Sequence, residues 1–299
     1  MDYSIFSKYF EVDKLLFNSA MSEYTSFKVG GPADLIITPA NIEDVKSALS
    51  LCKSKGLPNF VMGKGSNLLV KDSGYKGVII CTSKSLDNIE FLGEGIIRAG
   101  AGTTLAKLAG FAADLSLAGL EFASGIPGSL GGAVYMNAGA YDGEMKDVIV
   151  SANVIDEGGN AIAMAKADMA FGYRSSVFQK NKHIIFDVTL SLTKGDKESI
   201  REKMLDLNGK RKEKQPLDLP SGGSTFKRPE GHFASKLIDD SGLKGYSIGG
   251  AMVSPKHAGF IVNYDNATAD DIISLIEHVK LTVFNKFGVK LVPEVEIIG

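Results

Sequence analysis

The sequence predicts an α/β protein of two or three domains, and three observations carry that prediction. Compact apolar runs alternate with capped helical stretches. Two glycine-rich loops each adjoin a strand-like run. A charged stretch then separates the C-terminal third, where strand and helix signals resume. At 299 residues the length suits that domain number.

Ala33 to Thr38 (ADLIIT) is the first compact apolar run, and Pro39 closes it. Asn41 then caps a helix whose apolar positions Ile42, Val45, Leu49 and Cys52 recur at three- and four-residue spacing. Gly56 and Pro58 end that helix, and Phe60–Met62 forms a buried strand that leads into Gly63-Lys64-Gly65-Ser66-Asn67-Leu68. This is a βαβ unit whose second strand delivers a glycine loop. The next region, 86–195, mixes strands at Ile96–Arg98, Val148–Ile155 and Ile184–Leu192 with a helix over Thr103–Leu117. After Thr193 the stretch KGDKESIREKMLDLNGKRKEKQP reads as a linker plus one polar-faced helix, and a boundary falls there. The expected division is therefore 1–85, 86–195 and 196–299. In the last part Thr268 and Asp271 make a capping box, followed by the stripe Ile272, Leu275, Ile276, Val279, Val283 and Phe287. Gly288 stops this helix, and Val289 to Ile298 reads as a final strand interrupted by Pro293.

Composition narrows the function classes. Hydrophobic residues at 44% and charged residues at 23% supply material for packed cores. A net charge of -2 leaves no global basic field for nucleic acid. Cys52 and Cys81 form no CxxC pair, and the reading is reduced core thiols in a cytoplasmic protein. The four histidines have no metal-ligand spacing, so no metal site is expected. The N-terminus lacks the apolar core of a signal peptide, and no apolar run reaches membrane-spanning length.

The glycine excess, 34 of 299, is concentrated in loops, above all in GIPGSLGGAVYMNAGAY, Gly125 to Tyr141. Glycine lets a ligand approach the main chain, and exposed amides suit a diphosphate. A glycine-rich turn between core elements is the alternative. No G-x-G-x-x-G follows a strand, since Gly63-Lys64-Gly65 meets Leu68 at the sixth position; no G-x-x-x-x-G-K-[ST] and no G-x-S-x-G occur. A Rossmann dehydrogenase, a P-loop ATPase and an α/β-hydrolase are thereby disfavoured. Two glycine loops on two α/β regions suit one extended ligand, and a dinucleotide such as FAD has the length.

Four further clusters carry candidate chemistry. Phe171-Gly172-Tyr173-Arg174-Ser175-Ser176 sets an arginine, able to clamp a carboxylate bidentately, beside aromatic and small residues; a surface ion pair is the other reading. Ser221-Gly222-Gly223-Ser224-Thr225-Phe226-Lys227 joins hydroxyls to a lysine, or is a tight turn. Lys210-Arg211-Lys212 with Lys214 reads as a solvated helix end, or as a steering patch for a diphosphate. Pro293-Glu294 puts a carboxylate after a strand-breaking proline, with an ordinary surface glutamate as the default.

In this order the blocks TSFKVGGPA (Thr25 to Ala33), GKGSNLLV, GIPGSLGGAVYMNAGAY, FGYRSS, GGSTFKRP, LIDDSGLKG with IGGAMVSPKHAGFIVN, and the terminal Pro-Glu-Val resemble the UDP-N-acetylenolpyruvoylglucosamine reductases, the MurB family. The resemblance implies an α+β/α/β fold with a two-part FAD-binding region (PCMH-type, vanillyl-alcohol-oxidase-like) and a C-terminal α/β substrate-binding domain. It implies non-covalent FAD, NADPH as hydride donor, and UDP-N-acetylglucosamine enolpyruvate as the substrate reduced to UDP-N-acetylmuramate for peptidoglycan. A monomer without membrane or nucleic-acid partner is expected. By resemblance Gly63, Lys64, Gly65, Ser66, Asn67 and Leu68, with Gly125, Pro127, Gly128, Ser129, Gly131, Gly132, Asn137, Ala138, Gly139 and Ile185, belong to the flavin site. Arg174 resembles the arginine that binds the substrate carboxylate, Ser224 the proton donor to carbon, and Glu294 the glutamate that assists the intermediate. Tyr173, Lys214, Lys227 and His257 fall on positions that contact substrate or nicotinamide cofactor.

Two departures stand out. One subgroup carries an inserted loop whose tyrosine folds over the substrate; here no tyrosine occurs between Tyr173 and Tyr246. Arg228 stands where that subgroup often has asparagine, and an arginine there suits a diphosphate. Two rivals share the glycine loops: a flavin oxidase or dehydrogenase acting on an alcohol, and a non-catalytic nucleotide-binding regulator. Neither gives Arg174, Ser224 and Glu294 a reason to occur together.

Overall fold

Asn41 behaves as the cap its position suggests: its side chain accepts the Asp44 N–H at 2.9 Å and opens the helix Ile42–Lys55. Gly56 at φ +62 ends it. The computed structural model describes residues 3–299, the Lys84 side chain aside; the first two positions of the expected 1–85 division lie outside the described residues. Two compact units share the chain. One takes the residues up to Leu16 with Leu35–Lys64 and Gly77–Arg211; the other takes Phe17–Asp34, Gly65–Lys76 and Lys212–Gly299.

In the first unit the helix Ile42–Lys55 turns Val45, Ala48 and Cys52 inward. Leu35, Ile37, Val78 and Ile80, all fully buried, complete that core. Asn59–Met62 runs parallel to Val78–Cys81 in the four-stranded sheet that holds these strands. Burial pushes the Cys52 thiol up to about 11, so it packs as an inert apolar group. A second sheet of five antiparallel strands runs in the order Ala161–Ala165, Ile149–Ile155, Ile184–Ser191, Ile96–Gly100, Ile89–Gly93. Ile185 is buried in it, opposite Val154.

The helix expected over Thr103–Leu117 is shorter, Leu105–Asp114, with Thr104 as its cap. Ser116 takes φ +56 and turns the chain out, so Leu117 joins a two-residue strand against Thr193–Lys194. The polar-faced helix is Lys197–Lys214, which buries only Ile200 and Leu207. Lys197 and Arg201 pair with Asp114 at 3.0 and 2.6 Å.

The second unit is built on the helix Ala269–Phe287. Thr268 Oγ1 accepts the Asp271 N–H at 3.0 Å and the Asp271 carboxylate accepts the Thr268 N–H at 2.9 Å, which completes the capping box. Ile272, Leu275, Ile276, Val279 and Val283 are fully buried, whereas Phe287 is 38% exposed and leaves the stripe. A three-stranded antiparallel sheet, Ser247–Ile248, Ala251–Val253 and Ile261–Asn263, belongs to the same unit.

The terminal strand is shorter than expected: Glu296–Ile298, parallel to Leu68–Val70. Pro293 has no N–H for a ladder, and the chain before it pairs elsewhere. Lys227 N–H donates to the Val292 carbonyl at 2.9 Å and Glu294 N–H to the Thr225 carbonyl at 2.8 Å, around a bridge between Phe226 and Pro293.

Candidate active site

The second unit gathers several of the residues singled out above. Thr225 is fully buried; its N–H donates to the Gly259 carbonyl at 2.8 Å and its hydroxyl oxygen accepts the Ile261 N–H at 3.0 Å. This anchor leaves its neighbour Ser224 exposed, next to Gly223 at φ +81. The pairing of Thr225 with Glu294 then brings Glu294 to the same strip of backbone. Asn67 adds a third member, because its side-chain amide donates to the Glu294 carbonyl at 3.0 Å and its own carbonyl accepts the Glu296 N–H at 3.0 Å.

His257 lies beside this strip. Its Nδ1 accepts the Gly259 N–H at 3.1 Å, and its ring stands edge-on to Phe260 at 4.9 Å. Burial, with the Lys244 charge adding to it, holds the imidazole below its ordinary pKa of 6.5. The neutral tautomer therefore carries its proton on Nε2. Arg228 is exposed, with its guanidinium 3.9 Å over the Phe233 ring, and Lys214 is exposed at the end of its helix.

The first unit gathers the glycine loop and Arg174. A Cβ at Gly63 would collide with the buried Ser129 hydroxyl, and one at Gly125 would collide with the Asn208 side-chain oxygen. A side chain at either position would have to displace that neighbour. Arg211 reaches the same place: its Nη1 lies 3.3 Å from the position of a Gly125 Cβ. Buried polar atoms without a partner are costly and point to a missing ligand. Among the described residues three such side-chain atoms occur, Arg211 Nε, Thr103 Oγ1 and Ser85 Oγ. Two of them flank the glycine loop, since the Thr103 carbonyl also accepts the Leu130 N–H at 2.8 Å. Burial lowers the Arg211 pKa, against a smaller opposing effect of Tyr141. A glycine-rich loop flanked by a guanidinium N–H and a hydroxyl that both lack side-chain or backbone partners fits a diphosphate-bearing cofactor.

Arg174 takes φ +50, the left-handed region. Its Nη2 donates to the Gly139 carbonyl at 2.8 Å, and its guanidinium stands 5.2 Å from the Tyr173 ring centroid. Gly139 to Glu144, Tyr173 and Arg174 line a cavity of about 330 Å³. Tyr173 is half exposed at its rim. Asn137, expected at the flavin, is fully buried and spends its whole side chain on protein groups.

Sequence reasoning did not single out Arg211, which it left within a cationic run read as a solvated helix end or a steering patch for a diphosphate. The signal was available: Asn208, Arg211 and Lys214 recur every three residues and share a helix face. Among the described residues no helix is long and apolar enough to cross a membrane.

Residues 33–165 match the model of an FAD binding domain, and residues 215–298 match that of the C-terminal domain of UDP-N-acetylenolpyruvoylglucosamine reductase. A UDP-N-acetylenolpyruvoylglucosamine reductase of Clostridium botulinum is 52% identical over 287 residues, covering 96% of this chain and 93% of that protein. The crystal structure of such a reductase (MurB) from Thermus caldophilus matches with a TM-score of 0.81 at 35% identity, over 94% of this chain and 98% of that one. Alkyldihydroxyacetonephosphate synthase shares the fold alone, with a TM-score of 0.51 at 15% identity over 65% of this chain and 41% of its own.

Proposed function

The chain belongs to the UDP-N-acetylenolpyruvoylglucosamine reductase family, and from that membership we propose that it reduces the enolpyruvyl ether of UDP-N-acetylglucosamine to UDP-N-acetylmuramate, a step in peptidoglycan precursor synthesis. The observation that carries the reading is Arg174, a cation beside a cavity of about 330 Å³ on left-handed backbone that few non-glycine residues adopt. A planar fork at such a place suits a carboxylate.

Gly63 to Leu68, Gly125 to Gly132, Ala138 and Gly139, with Arg211, would hold FAD, and the orphaned Arg211 Nε supports that assignment. Bound FAD supplies the two-electron relay between NADPH and the enolpyruvyl group. The chain's own residues do the rest. Hydride addition to the terminal carbon drives electron density onto the neighbouring carbon and its carboxylate. Arg174 meets that charge with a fixed guanidinium, which is the larger share of the catalysis. Ser224 gives its hydroxyl proton to the carbon that accumulated the charge, so the product gains one hydride and one proton. Glu294 assists at that carbon. A serine hydroxyl is a weak acid, but the carbon it serves is strongly basic, which makes the transfer feasible when the geometry is right. Lys214 and Arg228 take the diphosphate, while Tyr173, Lys227 and His257 contact substrate or nicotinamide. His257, neutral with Nε2 protonated, serves as a hydrogen-bond donor.

The division 1–85, 86–195 and 196–299 belongs to this reading, with FAD served by the first two parts and the substrate by the third. A cytoplasmic monomer without nucleic-acid partner also belongs to it, and the net charge of -2 supports the last point.

Anaerobic visible spectroscopy tests the reading. NADPH should bleach the flavin bands, and UDP-N-acetylglucosamine enolpyruvate should restore them. In Ser224→Ala, bleaching by NADPH should proceed at the parent rate while restoration slows by about 10²-fold or more, the usual worth of a positioned proton donor. Normal restoration in that variant would remove Ser224 as donor. Bands that return only with oxygen would remove the substrate.

A further inference from the structure

Arg174 pays for its position with backbone strain. A non-glycine residue in the left-handed region costs about 1–3 kcal/mol and persists only where its surroundings hold it there. The holding turn is Gly172–Ser175, closed by Gly172 N–H to the Ser175 carbonyl at 3.0 Å and Ser175 N–H to the Gly172 carbonyl at 3.3 Å. Gln179 steadies the far side by donating to the Arg174 carbonyl at 3.1 Å.

The near side is held by Asn137. Its Nδ2 donates to the Gly172 carbonyl at 2.9 Å and to Glu144 Oε2 at 2.8 Å, while its Oδ1 accepts the Lys146 N–H at 3.0 Å. The amide has one orientation, because a flip would turn its oxygen onto two acceptors and its nitrogen onto a donor. The Lys146 ammonium, 2.9 Å from the Glu144 carboxylate, holds that carboxyl below the usual range, so a full charge faces Nδ2. Asn137 and Gly139 thus grip Gly172 and Arg174 through two cross-links, Asn137 to Gly172 and Arg174 to Gly139, each partner two residues along from the first.

We propose that Asn137, oriented by Glu144, is a positioning residue that holds Arg174 aimed at the substrate carboxylate, and that it does not serve the flavin. The proposal rests on the reading of Arg174 as the carboxylate clamp. Asn137→Asp keeps the shape and the bond to Lys146 N–H but faces two acceptors with an oxygen. Glu144→Gln keeps an acceptor for Nδ2 and removes the charge.

Three quantities are measured for each holoprotein: flavin content, affinity of the oxidised form for UDP-N-acetylglucosamine enolpyruvate by calorimetry, and the two half-reactions under anaerobiosis. Asn137→Asp should keep its flavin and bleach with NADPH at the parent rate. Its substrate affinity and its restoration rate should both fall by about 10- to 100-fold, the effect of moving a catalytic group by about 1 Å. Glu144→Gln should show the same selective loss at smaller size, about 3- to 10-fold.

Parent-like restoration in Asn137→Asp overturns the proposal. So does loss of flavin with both half-reactions falling together, which would make Asn137 a cofactor residue. If Asn137→Asp does not fold, a parent-like Glu144→Gln overturns the proposal on its own. Arg174→Met separates the two layers: should it restore its flavin at the parent rate, the clamp reading fails, whatever Asn137 does.

Discussion

Replacing Asp72 by alanine removes two hydrogen bonds at the start of the helix that organises the second unit. The Asp72 carboxylate accepts the N–H of Ala269 at 2.9 Å and of Asp270 at 3.0 Å. Thr268 takes the N–H of Asp271, so the first three N–H groups of Ala269–Phe287 all have side-chain partners. Losing a side-chain cap costs about 0.5–2 kcal/mol, and losing an anion at a helix N-terminus a further 0.3–1 kcal/mol or so. The Ala269 N–H is half-buried and recovers little from water, whereas the Asp270 N–H is exposed and recovers most. The expected cost is therefore about 2 kcal/mol, which for a chain of 299 residues lowers Tm by about 3 °C. Asp72→Asn keeps one acceptor and loses the charge, so it should lose about half as much, and part of its deficit should vanish in high salt. Circular dichroism melts of parent, Asp72→Ala and Asp72→Asn read this directly. A Tm for Asp72→Ala within about 1 °C of the parent would refute the cap. Equal losses for the two variants would show that charge alone matters.

Arg211→Met should weaken retention of FAD by about 10- to 100-fold, the worth of a charge-assisted hydrogen bond, while the flavin-free protein melts no lower than the parent; flavin retention through gel filtration and a melt of the stripped protein check the two halves. His257 sets a pH dependence: its pKa is depressed in the fold, so the unfolded chain takes the proton first as pH falls below about 6.5. Stability from its neutral form is complete above that pH and is lost as pH drops toward the folded pKa, so His257→Gln should show a smaller fall in Tm between about pH 7 and 5 than the parent.

What the sequence made legible was local. Asn41 and the Thr268–Asp271 box announce their helices because a cap and its partner lie within one turn. The spacing of Ile272, Leu275, Ile276, Val279 and Val283 announces a buried face for the same reason. The glycine loops and the order of the sequence blocks carried the family. What stayed hidden was long-range. Nothing near Asp72 in sequence marks it as a cap for a helix that begins 197 residues later. The strand expected over Val289 to Ile298 failed because pairing is settled by partners: Val292 to Glu294 meets Thr225 to Lys227, and only Glu296–Ile298 continues as strand. Arg211 was not singled out because charge predicts solvent, and only its orphaned Nε shows that the side chain turns inward.

The two groups proposed for the chemistry, Ser224 in the second unit and Arg174 in the first, are supported in opposite ways, and this decides which variants are informative. Ser224 stands outside the left-handed region, beside a buried Thr225 whose N–H and hydroxyl are both engaged. Its position is secured by a neighbour, so removing its hydroxyl leaves the backbone alone and isolates the chemistry. Arg174 stands on strained backbone, and its own Nη2 bond to the Gly139 carbonyl is one of the hydrogen bonds that hold the strain. Any change to Arg174 therefore alters charge and conformation together. An effect seen in Arg174→Met alone does not separate a missing cation from a relaxed turn. The separation comes from Asn137, where the turn can be loosened while the guanidinium stays present. A selective loss at Asn137 with Arg174 intact measures what the strain contributes to aim, and the excess loss in Arg174→Met then measures what the charge contributes to the reaction.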